Sequence, residues 1–171
     1  IAIAIKIEDP EGGVFFGQER SGLYGRTFKM WKFRSMVANA EALKAKLQAE
    51  NEMDGPVFKM THDPRITRVG RFIRKTSIDE FPQFWNVLVG EMSLVGPRPM
   101  LPEQLRLYGN SVFYVALKPG ITGLWQVSTR NEKKFSYRAR VDAAYCRSLS
   151  LGRDLLLMAR TVGVVLRRTG V

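Results

Sequence analysis

The chain has 171 residues, 45% of them apolar and 25% charged, a composition that excludes global disorder and suits one ordinary globular domain. Lysine and arginine number 27 against 16 aspartates and glutamates, so the formal net charge of +11 calls for an anionic partner: nucleic acid, anionic lipid or a phosphate-rich small molecule. A single cysteine, Cys146, excludes an internal disulfide framework, and a single histidine, His62, excludes a multi-histidine metal site; any metal must be held by carboxylates, which suits Mg²⁺ or Mn²⁺.

No window reaches the roughly 20 apolar residues that a membrane span requires. Ile1-Ala2-Ile3-Ala4-Ile5 is apolar but short, and reads either as an edge strand or as the stub of a membrane segment. The first residue is Ile rather than Met, so we read the chain as a fragment or as trimmed at its N-terminus. Residues 12–35 read as a β-hairpin: Val14-Phe15-Phe16 leads to Gly22-Leu23-Tyr24-Gly25, and aromatic and basic residues then alternate up to Phe33. Gly22 and Gly25 supply the positive φ that a tight reversal needs. Val37, Ala40, Leu43 and Leu47 recur at helical spacing, predicting a helix over 36–51 that Asp54-Gly55-Pro56 stops.

Arginines at 65, 68, 71 and 74 recur every three residues, which predicts one basic side of a helical or 3₁₀ segment with Ile66, Val69, Phe72 and Ile73 opposite. A helix is predicted over 77–89, followed by the rigid, non-helical Gly96-Pro97-Arg98-Pro99. Beyond it come a short helix near 102–108, a turn at Pro119-Gly120-Ile121-Thr122-Gly123, a strand-like Leu124 to Val127 and a helical tail.

Several residues have two readings. Ser77-x-x-Glu80 is a capping box, with Ser77 as N-cap. The same geometry lets Asp79 and Glu80, with Arg74 nearby, hold a Mg²⁺-bound diphosphate, and a carboxylate can attack phosphorus to form an acyl phosphate. Arg98 between two prolines is a turn arginine or a preorganised phosphate contact. Asn131 follows Arg130 after the expected strand, and Asp142 lies on the next helix, each unremarkable alone. Arg153, Arg160 and Arg167, seven apart amid Leu and Val, suit a core helix or one lying in a membrane interface. His62 and Cys146 read as structural, and neither G-x-G-x-x-G nor a Walker A loop is present.

Five segments together resemble one family: Val14 to Arg20; Lys32-Phe33-Arg34-Ser35-Met36; Arg74-Lys75-Thr76-Ser77-Ile78-Asp79-Glu80-Phe81-Pro82-Gln83; Ser93-Leu94-Val95-Gly96-Pro97-Arg98-Pro99; and Lys118-Pro119-Gly120-Ile121-Thr122-Gly123-Leu124-Trp125-Gln126-Val127. The family is the bacterial sugar transferases, the monotopic phosphoglycosyl transferases also called polyprenyl-phosphate hexose-1-phosphate transferases. The resemblance implies transfer of a sugar 1-phosphate from a UDP-sugar to a polyprenyl (undecaprenyl) phosphate, the first membrane step of exopolysaccharide, capsule or O-antigen assembly. Asp79 matches the nucleophile that forms a covalent phosphosugar intermediate with loss of UMP, and Glu80 matches its Mg²⁺-associated partner. Arg74, Arg98 and Arg130 match phosphate-binding arginines, and Asp142 an acidic residue of the same site. Two departures stand out: Asp9-Pro10-Glu11-Gly12-Gly13 replaces Ser-Pro-Gly-Pro, and Ser128-Thr129-Arg130 replaces Asn-Gly-Arg.

We therefore expect an α+β fold, a small antiparallel sheet surrounded by helices, some of them at the bilayer surface. One catalytic domain would span 1–171, with 1–11 the end of a membrane segment or a linker and 150–171 an amphipathic helix. The family's N-terminal re-entrant membrane helix would precede Ile1. The expected setting is the cytoplasmic face of a bacterial inner membrane, with Mg²⁺ (or Mn²⁺) bound by Glu80 and Asp79. The expected partners are a UDP-sugar, a polyprenyl phosphate and membrane lipid but no nucleic acid, with a homodimer as the oligomer to test. Two rivals use the same charge: a nucleic-acid-binding module built on the aromatic and basic residues of 28–34, and a non-catalytic membrane-surface scaffold.

Overall fold

The computed structural model describes residues 1–51, 58, 60–106, 108, 111–128 and 135–166. The first segment, Ala2–Glu8, is a helix (α1) and not the edge strand that its Ile/Ala alternation allowed. Ile5 is buried, while Ile3 and Ile7 face outward. Seven residues make a marginal helix on their own, and Glu8 ties this one down. Its carboxylate accepts from the backbone N–H groups of Arg68 and Val69 at 2.6 and 2.8 Å, satisfying donors left over at the start of α3 (Arg68–Lys75).

The predicted hairpin forms from β1 (Phe15–Ser21) and β2 (Thr27–Phe33), with Phe15 opposite Phe33 and Ser21 opposite Thr27. The left-handed positions of its reversal are Tyr24 (φ 56°) and Gly25 (φ 72°), whereas Gly22 stays extended at φ −122°. Along β2 the period of two sends Phe28 and Met30 into the core and leaves Lys29 over the ring of Trp31, 4.7 Å from its centre. The outer edge of β2 is closed by one side chain. Asn86, fully buried on α4 (Gln83–Leu88), accepts from the Trp31 N–H at 3.1 Å and donates to the Lys29 carbonyl at 2.8 Å, as a neighbouring strand would.

The helix predicted over 36–51 is shorter: α2 runs Ala40–Lys46, with a 3₁₀ turn at Gln48–Glu50. Met36 is held in a bridge to Ile66, and the Val37 N–H donates to the Arg65 carbonyl, so this stretch is extended. The expected stop at 54–56 lies outside the described residues. The spaced arginines do not make one basic face. Arg65 precedes α3 and is buried against Asp63, Nη2 to Oδ2 at 2.6 Å; Arg68 and Arg71 are exposed; Arg74 turns inward. The opposite face also splits, with Ile73 buried and Phe72 exposed.

Residues 119–123 are not a turn. Gly120–Thr122 is a strand (β4) paired in parallel with β3 (Ser93–Val95), Val95 opposite Thr122. A parallel pair needs a long crossover, here residues 96–119 with α5 (Pro102–Arg106) and α6 (Val112–Val115). The stretch read as a strand is helical, α7 (Leu124–Ser128), because Leu124 and Val127 find their burial against Val95, Tyr145 and Leu157 rather than beside another strand. α8 (Phe135–Arg147) and α9 (Leu151–Leu166) complete the α+β arrangement, a small antiparallel sheet among helices as expected, with the parallel pair in addition. Among the described residues no helix is long and apolar enough to cross a membrane.

Candidate active site

Segments far apart in sequence meet at one cleft of ≈ 260 Å³. The end of β2 brings Lys32, the end of α3 brings Arg74, the turn after it brings Asp79 and Glu80, and the Gly96–Pro99 loop brings Arg98. The wall contributed by α7 and α9 includes Gln126, Thr161 and Val164.

Ser77 decides where the carboxylates point. It takes the left-handed conformation, φ 57° and ψ 16°, at the head of a 3₁₀ turn, Ile78–Glu80, and its side chain makes no cap. The capping box predicted from Ser77-x-x-Glu80 therefore does not form; left-handed backbone at Ser77 is incompatible with it, and the Glu80 carboxylate is taken by Lys32. Such a conformation in a non-glycine residue costs on the order of 1 kcal/mol and persists where its surroundings dictate it. Asn86 ties α4 to β2 through the Trp31 N–H and the Lys29 carbonyl, and Lys32 of the same strand holds Glu80 in the turn after Ser77.

The result is a charged knot. Lys32 Nζ donates to Glu80 Oε1 at 2.8 Å and lies 3.8 Å from Asp79 Oδ2, while Arg98 Nη1 is 4.0 Å from Glu80 Oε1. Asp79 is buried, and Arg74 Nη1 is buried with no hydrogen-bond partner. Burial pushes the Asp79 carboxyl above its ordinary range; Lys32 opposes this, Glu80 adds to it, and Arg74 and Arg98 oppose it. Burial likewise lowers the Arg74 guanidinium, with Asp79 acting against the shift. A carboxylate beside three cations in one cleft is an arrangement that can receive phosphate oxygens next to a carboxylate oxygen.

Of the residues singled out from sequence, Arg74, Asp79, Glu80 and Arg98 line this cleft together. Asp142 is not among its lining residues. It is buried on α8, accepts a hydrogen bond from the Tyr108 hydroxyl and lies 3.8 Å from Arg138 Nε. Arg138 in turn donates to the Arg98 carbonyl and sits 5.5 Å from the ring centre of Trp125, so Asp142 stands one residue behind Arg98. Burial raises the Asp142 carboxyl, against Arg138 and Tyr108. Arg20 holds the same loop from another side, Nη1 to the Pro99 carbonyl at 3.4 Å. Arg130, Asn131 and Arg167 lie outside the described residues.

Lys32 and Gln126 were not singled out as site residues from sequence. A signal for Lys32 existed: it shares the period-two face of β2 with Phe28 and Met30, and a lysine on a core face needs a partner. Gln126, read as part of a strand, lay inside the Lys118 to Val127 motif without being singled out. Among the described residues no group of three or more His, Cys, Asp or Glu converges. Two adjacent carboxylates fit Mg²⁺, which takes one or two carboxylates and fills its remaining positions with phosphate and water.

Set against known proteins, residues 1–168 match the model of the family described as bacterial sugar transferase. The chain is 48% identical, over 99% of its length, to the UDP-galactose-lipid carrier transferase of Erwinia amylovora. It is 47% identical, over 96%, to the undecaprenyl-phosphate galactose phosphotransferase of Salmonella typhimurium. A third relative, the UDP-glucose:undecaprenyl-phosphate glucose-1-phosphate transferase of Escherichia coli, is 41% identical over 95% of the chain. The chain spans 37%, 36% and 34% of the length of these three proteins. With a family match from Ile1 almost to its last residue, the chain belongs to the bacterial sugar transferase family.

Proposed function

We propose that this chain is the catalytic part of an enzyme that transfers a sugar 1-phosphate from a UDP-sugar to undecaprenyl phosphate, opening the assembly of an exopolysaccharide, capsule or O-antigen. The names of the relatives support the substrate classes, with galactose and glucose as the first sugars to try. The observation that carries the reading is the buried Asp79 facing Arg74, Arg98 and Lys32 in one cleft.

The chemistry balances as two displacements at one phosphorus. An Asp79 carboxylate oxygen attacks the sugar-bearing phosphorus, the bond from that phosphorus to the bridging oxygen breaks, and UMP departs with that oxygen. The sugar phosphate is then held as an acyl phosphate on Asp79 until an oxygen of undecaprenyl phosphate attacks the same phosphorus and frees the carboxylate. Arg74 and Arg98, which line the cleft, hold the phosphate oxygens and neutralise charge as it shifts. Lys32 keeps Glu80 in place and favours the ionised form of Asp79. A Mg²⁺ held by Glu80 and Asp79 would add further charge neutralisation on the diphosphate. The covalent route suits the substrates, since a soluble donor and a membrane-bound acceptor never need to be bound at once.

We place the chain at the cytoplasmic face of a bacterial inner membrane as a monotopic protein. Phe81 and Phe84 line the cleft and are each about half exposed; Trp85 and Leu88 beside them are 60% and 79% exposed, an apolar surface suited to lipid. The test is direct. Incubate the full-length protein in membranes with UDP-galactose or UDP-glucose and undecaprenyl phosphate, and follow UMP. With donor alone, intact-mass analysis should find a sugar-phosphate adduct on Asp79; an active enzyme that never shows one would reject this mechanism.

A further inference from the structure

The cleft has two unlike sides. The charged side, with Asp79 and its cations, is accounted for by the phosphates of the reaction. The other side is apolar, formed by Phe81, Phe84, Ile121, Val127, Val164 and Val165. A UDP-sugar carries polar groups along its whole length and does not account for it. Ile121 and Val127 also pack onto the core. Val164 and Val165 belong to none of the clusters of buried apolar side chains among the described residues, yet they are half-buried along the cleft.

The polar groups on this side narrow the choice of occupant. Thr161 donates to the Leu157 carbonyl, and the Thr122 and Thr161 hydroxyls lie 2.6 Å apart, so the Thr122 proton goes to Thr161 and neither hydroxyl has one to spare. The amide atoms of Gln126 are buried. A base or a sugar laid against this side would find no side-chain donor for its oxygens, and a buried acceptor left unpaired costs free energy. A hydrocarbon loses nothing there and gains by burying its own surface. The apolar side also leads outward. Phe81 follows Glu80 in the chain, and Phe81 and Phe84 both line the cleft while each is about half exposed, beside the exposed Trp85 and Leu88. It thus continues from the paired carboxylates onto the surface assigned above to lipid.

We infer that this side of the cleft seats the first isoprene units of the polyprenyl phosphate acceptor, with Val164 and Val165 selecting a prenyl chain. This rests on the reading of the cleft as the site of transfer. The acceptor phosphate has to reach the phosphorus held on Asp79, so the carbons next to that phosphate must leave the bilayer. Hydrocarbon drawn from lipid into water is penalised in proportion to its area, and an apolar path into the cleft removes that penalty.

The test separates the two half-reactions on purified full-length protein in detergent. UDP-sugar alone gives a burst of UMP; acceptor is then added, and loss of the sugar-phosphate adduct is timed with isopentenyl phosphate, a single isoprene unit, or with farnesyl phosphate. The parent should discharge to farnesyl phosphate with kcat/KM at least about tenfold above that for isopentenyl phosphate. In Val164→Ser with Val165→Ser the farnesyl value should fall by about tenfold. The isopentenyl value and the UMP burst should stay within about twofold of the parent. Micelle partitioning of each acceptor is the same for parent and variant, so the change in their ratio reports the protein. Thermal unfolding checks the fold, and Val164→Thr with Val165→Thr, which keeps the branched shape, carries the test if the serine variant does not fold. A parent without chain-length preference, a folded variant that keeps the full preference, or equal loss for both acceptors overturns the assignment. So does a slowed UMP burst with unchanged discharge, which would give this side to the donor. The underlying reading fails on a different result, a parent that forms no adduct and releases no UMP.

Discussion

Lys32 and Glu80, 48 positions apart in the chain, are joined by a 2.8 Å hydrogen bond running from the end of β2 to the 3₁₀ turn that holds Asp79. The ammonium lies within 4 Å of both carboxylates, so it is the cation placed to keep the pair ionised together. Replacing it with an apolar chain of similar length, Lys32→Met, should lower UMP release by about 10- to 100-fold without loss of secondary structure. Lys32→Arg should recover part of the rate. A methionine variant at the parent rate would remove Lys32 from the site's chemistry.

Asp79→Asn keeps the shape of the side chain but not the nucleophile, so transfer should drop by about 10³-fold or more and no adduct should form with donor alone. Glu80→Gln should be milder, with a lower rate and a weaker response to Mg²⁺. Titrating each variant with MgCl₂ while following UMP separates the two roles; near-normal turnover in Asp79→Asn would end the nucleophile assignment.

The Gly96–Pro99 loop and the start of α7 touch through backbone alone: a Cβ on Gly123 would fall 2.0 Å from the Gly96 carbonyl. Gly123→Ala must therefore push the loop carrying Arg98. We expect a loss of about 1–3 kcal/mol in stability, read by denaturant unfolding, together with reduced transfer.

Asp63 and Arg65 form a buried pair, and the Arg65 side-chain bond holds the Asp63 carboxyl below its ordinary range even though burial opposes it. A carboxyl with a depressed folded-state pKa adds stability above its unfolded value, about 3.9, and this is lost as pH falls through that value toward the lower folded one. Unfolding free energy should therefore decline below about pH 4 more steeply in the parent than in Asp63→Asn. At neutral pH that variant leaves Arg65 buried without its partner and should be less stable by about 3 kcal/mol.

If the exposed face of α4 rests on lipid, Trp85→Glu with Leu88→Glu should reduce partitioning onto anionic liposomes by about tenfold or more, since each side chain is worth at least about 1.5 kcal/mol when buried. Flotation assays would show it. Unchanged flotation would count against this face.

Local sequence carried the hairpin, because period-two alternation and a glycine turn are local signals, and it carried Arg74, Asp79, Glu80 and Arg98, because they sit in short ordered motifs. What it did not carry depends on partners far along the chain. Gly120–Thr122 is a strand only because Ser93–Val95 lies alongside, and Leu124–Ser128 is a helix because α8 and α9 bury its apolar side. Ser77 looked like a cap and instead takes a left-handed conformation at the head of the 3₁₀ turn, with no side-chain cap. Lys32 and Gln126 lay inside two of those motifs, but only the assembled fold brings them to the same cleft as Asp79.

Thr161, Val164 and Val165 wall the cleft from α9, the final described helix to be synthesised. On the ribosome, Arg74, Asp79 and Arg98 emerge well before that wall does. The nascent polypeptide thus carries Asp79 without that wall around it, and the cleft is finished only when α9 leaves the exit tunnel and docks.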